Sequence, residues 1–256
     1  ISRSNSSPSG WNKSIVKNFI FKFFLKKADR IVVNSKAFQR EIKKQFNINS
    51  KLIYNPLNKK EIIKKSKYQL KQKIFKQFRN NVKIINIARL TEQKDHFTLL
   101  KAMNIIRKKI NFELIIIGYG INEISIREKI NELKLNKFVK LIGYRSNPYP
   151  YLRLSDIMIL SSRYEGLPNV LLEAQTLKKY VISSDCPTGP KEILMNGKIG
   201  SLFKIGDYKM LASEIIKYNE KKINYKKKIN QAYSMLERFD FEFNCKKYLS
   251  LIVKYL

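Results

Sequence analysis

The sequence predicts an α/β fold centred on a parallel, Rossmann-like sheet with helices on both faces. Three observations carry this. Short, almost wholly apolar runs recur along the chain; helical patterns fill most gaps between them; and Gly, Pro, Ser, Arg or Lys gather where the runs end. A sheet buried on both faces needs near-continuous apolar strands, and strand–helix alternation makes its crossovers parallel and right-handed.

The elements follow in order. ISRSNSSPSGW reads as the end of a strand entering a loop, so an N-terminal part is expected to lie outside this sequence. Segment 11–27 spaces Ile15, Val16, Phe19, Ile20 and Phe23 as a helix does, with lysines between them, while Phe21, Phe24 and Leu25 spoil its polar face. RIVVNS reads as a buried strand, SKAFQREIKKQF as a helix capped by Ser35, and KLIYNP as a strand halted by Pro56. A Lys-rich helix is expected over 61–79. Strands are expected at 83–88, 112–118, 138–143, 156–161, 180–184 and 200–203, and only helices from Tyr208 onward.

With 256 residues, 44% of them apolar, the chain can bury a substantial core. Lys or Arg interrupts every long hydrophobic stretch, so no membrane span is expected. Cys186 and Cys245 stand far apart without metal-ligand spacing, which argues against a zinc site or disulfide scaffold and fits a cytoplasmic setting. The one histidine, His96, has no nucleophile in a recognisable motif and is expected to pack near a helix start. The net charge of +32 is uneven: residues 1–80 carry 21 basic and 3 acidic side chains, against 21 and 12 over residues 81–210. The first third is therefore the candidate face for phosphate or an anionic membrane surface.

In such sheets ligands bind beyond the carboxyl ends of the strands. Loop 161–168 ends in Gly166-Leu167-Pro168, and Pro168 suits the first turn of the helix NVLLEAQTLKK. Glu165 precedes that helix and Glu173 lies inside it, so the two can accept hydrogen bonds from different hydroxyls of one elongated ligand. From spacing alone, a solvated loop glutamate and a helix-surface glutamate paired with Lys178 explain the pattern equally well. Arg89 and Lys94, after the strand at 83–88, suit a diphosphate whose charge grows as it departs. Spacing alone leaves them two cations among 52.

Together these pieces resemble the retaining glycosyltransferases of family 4, the glycosyl transferases group 1 type. The matching segments occur in order: ARLTEQKDHFTLLKA, FELIIIGYG, VKLIGYRSN, LSDIMILSSRYEGLPNVLLEA with its Glu, seven residues, Glu spacing, and CPTGPKEILMNGKIGSLFKIGD. The resemblance spans about residues 30–220. It implies two Rossmann-like domains of the B-type glycosyltransferase fold, the N-terminal one incomplete. Residues 1–57 would be the remnant of the acceptor-side domain, 58–220 the nucleotide-sugar-binding domain, and 221–256 helices packing back toward the N-terminal part. It further implies that Arg89 and Lys94 hold the diphosphate and Glu173 the ribose. Glu165, with the backbone of Gly166, Leu167, Pro168, Asn169 and Val170, would hold the donor sugar. Tyr144 and Arg145 would lie near the nucleobase, and Asn5 on the acceptor side. No metal is implied. The family commonly has Gly where this chain has Asp95.

The resulting expectation is transfer of a hexose or N-acetylhexosamine, with retention, from a nucleotide diphosphate sugar. The acceptor would be a surface glycan such as a lipopolysaccharide, or a polyprenyl-diphosphate-linked chain at the inner membrane face. A basic nucleic-acid-binding protein is the alternative admitted by a pI near 10, but no nucleic-acid-binding signature accompanies the charge. An inactive donor-domain fragment is the third reading.

Overall fold

The computed structural model describes residues 2–4, 15–72, 74–75 and 81–254. Asn5, the expected acceptor-side residue, falls outside them. A first sheet joins β1 (Ser2–Ser4), β2 (Ile31–Val33) and β3 (Lys51–Leu52), all parallel and in that order. Helices α1 (Ile15–Lys26) and α2 (Lys36–Phe46) connect these strands. Ser35 does cap α2, its Oγ accepting from the amide of Phe38 at 3.1 Å. Phe38, Ile42 and Phe46, at helical spacing, bury one face of α2 against Ile31 and Val33.

The second sheet follows α3 (Lys59–Ser66). Its strands are β4 (Val82–Ile87), β5 (Phe112–Ile117), β6 (Val139–Leu141), β7 (Ile157–Leu160), β8 (Tyr180–Ser184) and β9 (Ser201–Phe203). They lie parallel in the order β6-β5-β4-β7-β8-β9, which is the order of a dinucleotide-binding fold. Between them run α4 (His96–Ile106), α5 (Glu123–Glu132), α6 (Tyr149–Leu154), α7 (Asn169–Thr176) and α8 (Gly189–Ile193). The chain ends in α9 (Tyr208–Glu220), α10 (Lys222–Ser234) and α11 (Phe241–Val253).

Successive strand side chains point to opposite faces, and here both faces are buried. Ile84, Leu114, Ile116, Ile157 and Ile159 pack with Leu99, Met103 and Leu211 of α4 and α9. Their neighbours Ile85, Ile115, Ile117, Met158 and Leu160 pack with Leu152, Leu171, Leu172 and Ile193 of α6, α7 and α8. Each fully buried Ile or Leu contributes about 1.5–3 kcal/mol of transfer free energy, which is why the runs contain so few polar residues.

The strand order reverses at β4 and β7. These strands pair only through Ile84 with Ile157 and Ile85 with Met158. Beyond that point the side chain of Asn86, wholly buried, donates to the Ile159 carbonyl at 2.9 Å and meets His96 Nε2 at 3.1 Å. His96 is thus a packed residue at the start of α4, and its burial pushes the imidazole pKa down to about 4.

Three expectations are corrected. The Lys-rich helix stops at Ser66, because Leu70, Ile74 and Phe75 turn inward to the second core face; residues 76–79 lie outside those described. The strand expected over KLIYNP covers only Lys51–Leu52, since the chain then leaves the first sheet to cross to the second domain. The C-terminal helices divide: α10 stays on the second domain, with Tyr225 packed edge-on against Tyr180, whereas α11 reaches the first sheet through Leu251, which packs on Val32 and Ile53. A backbone bond from Leu57 to the Phe239 carbonyl, 2.9 Å, joins the two crossing segments.

Candidate donor-binding site

At the β4/β7 crevice a cleft of about 660 Å³ opens between the two sheets. Arg89, Lys94, Glu165, Gly166, Leu167, Pro168, Asn169 and Val170 line it. The loop after β4 carries the two cations. It is held close to the turn after β5, where a Cβ on Gly118 would stand 1.8 Å from the Ala88 carbonyl oxygen and one on Gly120 would stand 2.4 Å from that of Leu90. Glycines are required there because backbone meets backbone.

Arg89 is exposed at the rim. Lys94, at the end of a 3-10 turn, is withdrawn: its Nζ lies 2.5 Å from Glu165 Oε1, with side-chain exposures of 14% and 9%. Ser162 Oγ donates to the same carboxylate oxygen at 2.7 Å. Further bonds lace the two loops together: Gln93 Nε2 to the Tyr164 carbonyl, 2.8 Å, Arg163 N to the Gln93 carbonyl, 2.8 Å, and Ser161 Oγ to the Lys94 carbonyl, 2.8 Å. Asp95 has φ +45°, a conformation glycine takes freely. Its carboxylate is occupied by α4, accepting from Thr98 N at 3.2 Å and Thr98 Oγ1 at 2.9 Å. An aspartate at this position therefore serves the helix it caps.

Pro168 stands at the N-cap of α7 rather than in its first turn, and no side chain closes the cap. The first amides of a helix have no intrahelical acceptor, so the backbone at Asn169 and Val170 is available to an anion or a hydroxyl. Asn55, from the segment leaving the first sheet, donates to Asn169 Oδ1 at 2.7 Å.

The remaining expected residues do not line this cleft. Glu173 lies one turn into α7, its Oε1 3.4 Å from the Tyr149 hydroxyl. Burial raises its pKa and that hydrogen bond lowers it by less. Lys178, the partner offered by spacing, sits instead over the Tyr233 ring. Tyr144 follows Gly143, which has φ +73°, and is 62% exposed, edge-on to Tyr119 at 5.6 Å. Arg145 Nε donates to the Tyr151 hydroxyl at 3.1 Å. Sequence reasoning missed Asn34, Asn55, Gln93 and Tyr164 in the cleft wall. Both asparagines lie at the ends of the segments expected as strands, RIVVNS and KLIYNP, and follow the observed strands Ile31–Val33 and Lys51–Leu52, a position that is the available signal.

Residues 67–235 match the model of the family described as glycosyl transferases group 1. An uncharacterized glycosyltransferase of Methanocaldococcus jannaschii is 36% identical over 178 residues, 68% of this chain and 44% of that protein. The Campylobacter jejuni N-acetylgalactosamine-N,N'-diacetylbacillosaminyl-diphospho-undecaprenol 4-alpha-N-acetylgalactosaminyltransferase is 29% identical over 75% of this chain and 51% of its own length. This chain thus spans about half the length of the curated relatives it matches. Among solved structures, Anabaena HepE in complex with UDP and glucose superposes with a TM-score of 0.83 at 20% identity, over 98% of this chain and 70% of that one. The S. aureus protein TarM gives 0.81 at 20% identity, over 97% of this chain and 49% of its own. These likenesses show the B-type glycosyltransferase fold. With the family model covering most of the second domain and all the strands of its sheet, the chain belongs to the glycosyl transferases group 1 family.

Proposed function

We propose that the protein transfers a hexose or N-acetylhexosamine, with retention of configuration, from a nucleotide diphosphate sugar to a surface glycan or a polyprenyl-diphosphate-linked acceptor. The observation that carries this is Arg89 at the rim and Lys94, paired with Glu165, behind it, facing an open helix start across the β4/β7 crevice. In this reading Arg89 and Lys94 bind the diphosphate and offset its charge as the bond to the sugar C1 breaks, so no metal is needed. The acceptor oxygen bonds to C1, and the departing phosphate takes its proton. Glu165 and the start of α7 orient the sugar, Glu173 the ribose, and Tyr144 with Arg145 flanks the base.

HepE was solved with UDP and glucose, which favours a UDP-sugar here. The name of the Campylobacter relative specifies a diphospho-undecaprenol acceptor, which favours a lipid-linked one. Peripheral attachment to an anionic inner membrane face is supported by α1, where Phe19, Phe23 and Phe24 are 73%, 50% and 65% exposed beside Lys22 and Lys26. Among the described residues no helix is long and apolar enough to cross a membrane.

Calorimetric titration with UDP-glucose and UDP-N-acetylglucosamine, followed by transfer assays on Arg89→Ala and Glu173→Ala, tests the site. Both substitutions are expected to abolish transfer. Undiminished turnover in either overturns the assignment. Sedimentation with phosphatidylglycerol vesicles, but not with neutral ones, is the result expected for the membrane part.

A further inference from the structure

One carboxylate of the second domain reaches across to the first. Glu192, in α8, places Oε2 at the start of α2, 2.8 Å from the amide of Lys36 and 3.3 Å from that of Ala37. Its Oε1 accepts from the Tyr54 hydroxyl at 2.5 Å. A carboxylate at the positive end of an 11-residue helix is a favourable contact, and here the helix and the acid belong to different sheets. Arg238, on the segment that crosses back, fixes the same piece of backbone by donating to the carbonyls of Glu192 and Ile193 at 3.1 and 2.9 Å.

The other end of α8 touches the donor site. Thr188 N donates to the Glu165 carbonyl at 2.9 Å and Glu165 N to the Pro187 carbonyl at 2.6 Å. Gly189 packs so closely that a Cβ would stand 2.1 Å from the Gly166 carbonyl oxygen. A five-residue helix therefore links the first domain, through Glu192, to the loop carrying Glu165.

We propose that Glu192 is a positioning residue that clamps α2 of the first domain, together with the crossing segment at Tyr54, to α8, fixing the distance between the domains and, through residues 187–189, the Glu165 loop. The clamp deepens the proposed transferase reading and its catalytic part rests on that reading. Glu192 does not touch the donor: its role is to hold the acceptor-side domain in register with the sugar, so its loss acts on transfer more than on nucleotide binding.

The test uses the full chain with Cys245→Ser and spin labels at Lys44→Cys and Lys209→Cys, exposed positions on α2 and α9. Pulsed dipolar spectroscopy on Glu192→Ala is expected to give a longer, broader distance distribution than the parent. Tyr54→Phe, which removes one hydroxyl, is expected to shift it partway. In unlabelled protein, Glu192→Ala is expected to lower kcat at least tenfold while the Kd for UDP stays within twofold. A parental distance distribution in Glu192→Ala overturns the clamp, and an unchanged kcat with a widened distribution overturns its positioning role. If the parent protein transfers no sugar, the proposed function fails, while the distance measurement still decides the clamp.

Discussion

Substituting Lys94 by Met separates the structural from the chemical role of the pair at the cleft. Lys94 and Glu165 are both largely withdrawn from solvent and lie 2.5 Å apart. Methionine keeps most of the length and volume but leaves the Glu165 carboxylate with Ser162 Oγ as its side-chain partner. Breaking a fully buried pair from one side costs about 3–5 kcal/mol. Because Glu165 borders an open cleft and keeps one hydrogen bond, the expected loss is ~2–3 kcal/mol, or roughly 5–10 °C in Tm for a chain of this size. Adding Glu165→Gln removes the stranded charge, so the double variant is expected to recover to within about 1 kcal/mol of the parent. Urea unfolding of the four proteins, without nucleotide, measures this cycle. Lys94→Met losing under ~0.5 kcal/mol, or strictly additive single and double variants, would refute the reasoning. Transfer activity is expected to stay absent in all three variants, including the one whose stability recovers.

Two further outcomes are expected. Gly189→Ala drives a methyl into the Gly166 carbonyl and to within 2.8 Å of Leu167 Cα, so thermal melting should show a loss of about 1–3 kcal/mol, and calorimetry a weakened UDP-sugar affinity; parental affinity and stability together would contradict the close packing. For His96, the folded pKa is depressed to about 4 against ~6.5 unfolded, so its contribution is complete above pH 6.5 and falls away as pH drops toward 4, by up to about 3 kcal/mol. Unfolding curves from pH 4 to 7 should flatten in His96→Gln, and an equally steep fall in that variant would assign the effect elsewhere.

The second sheet was legible because its inner strands are buried on both faces, Phe112–Ile117, Ile157–Leu160 and Tyr180–Ser184 along their whole length, which leaves largely apolar runs whatever the partner strand. Where burial was one-sided or the chain changed domain, the pattern misled. Residues 67–75 keep an apolar rhythm that reads as a continuing helix, yet Leu70 and Phe75 serve the core without helical backbone. In KLIYNP the apolar residues divide their loyalty: Ile53 remains with the first sheet, its amide donating to Val33 at 3.0 Å, while Tyr54 packs on Phe239. Within the site, Arg89, Lys94, Glu165 and the start of α7 could be placed because all follow strand ends. The pairing of Lys94 with a residue 71 positions away and the contact of Glu192 with α2, 156 positions away, have no local signature.

The two glutamates of RYEGLPNVLLEA differ in electrostatic state, and this constrains what each can do. Glu165 shares its charge with Lys94, so the pair adds little net potential to the cleft, and Arg89 at the rim carries the uncompensated positive charge that would draw in a diphosphate. An ammonium group has three donors; one points to Glu165, leaving Lys94 able to bridge that carboxylate and a phosphate without breaking the contact that holds the loops. Among the described residues no cation pairs with Glu173, and its burial disfavours the charged form. Accepting hydrogen bonds from a hydroxyl pair is the interaction that would stabilise its ionised state, just as the Tyr149 hydroxyl already does in part. A diol is therefore a better partner for Glu173 than a phosphate, and an anion a better partner for Arg89 than for Lys94, whose charge Glu165 already meets.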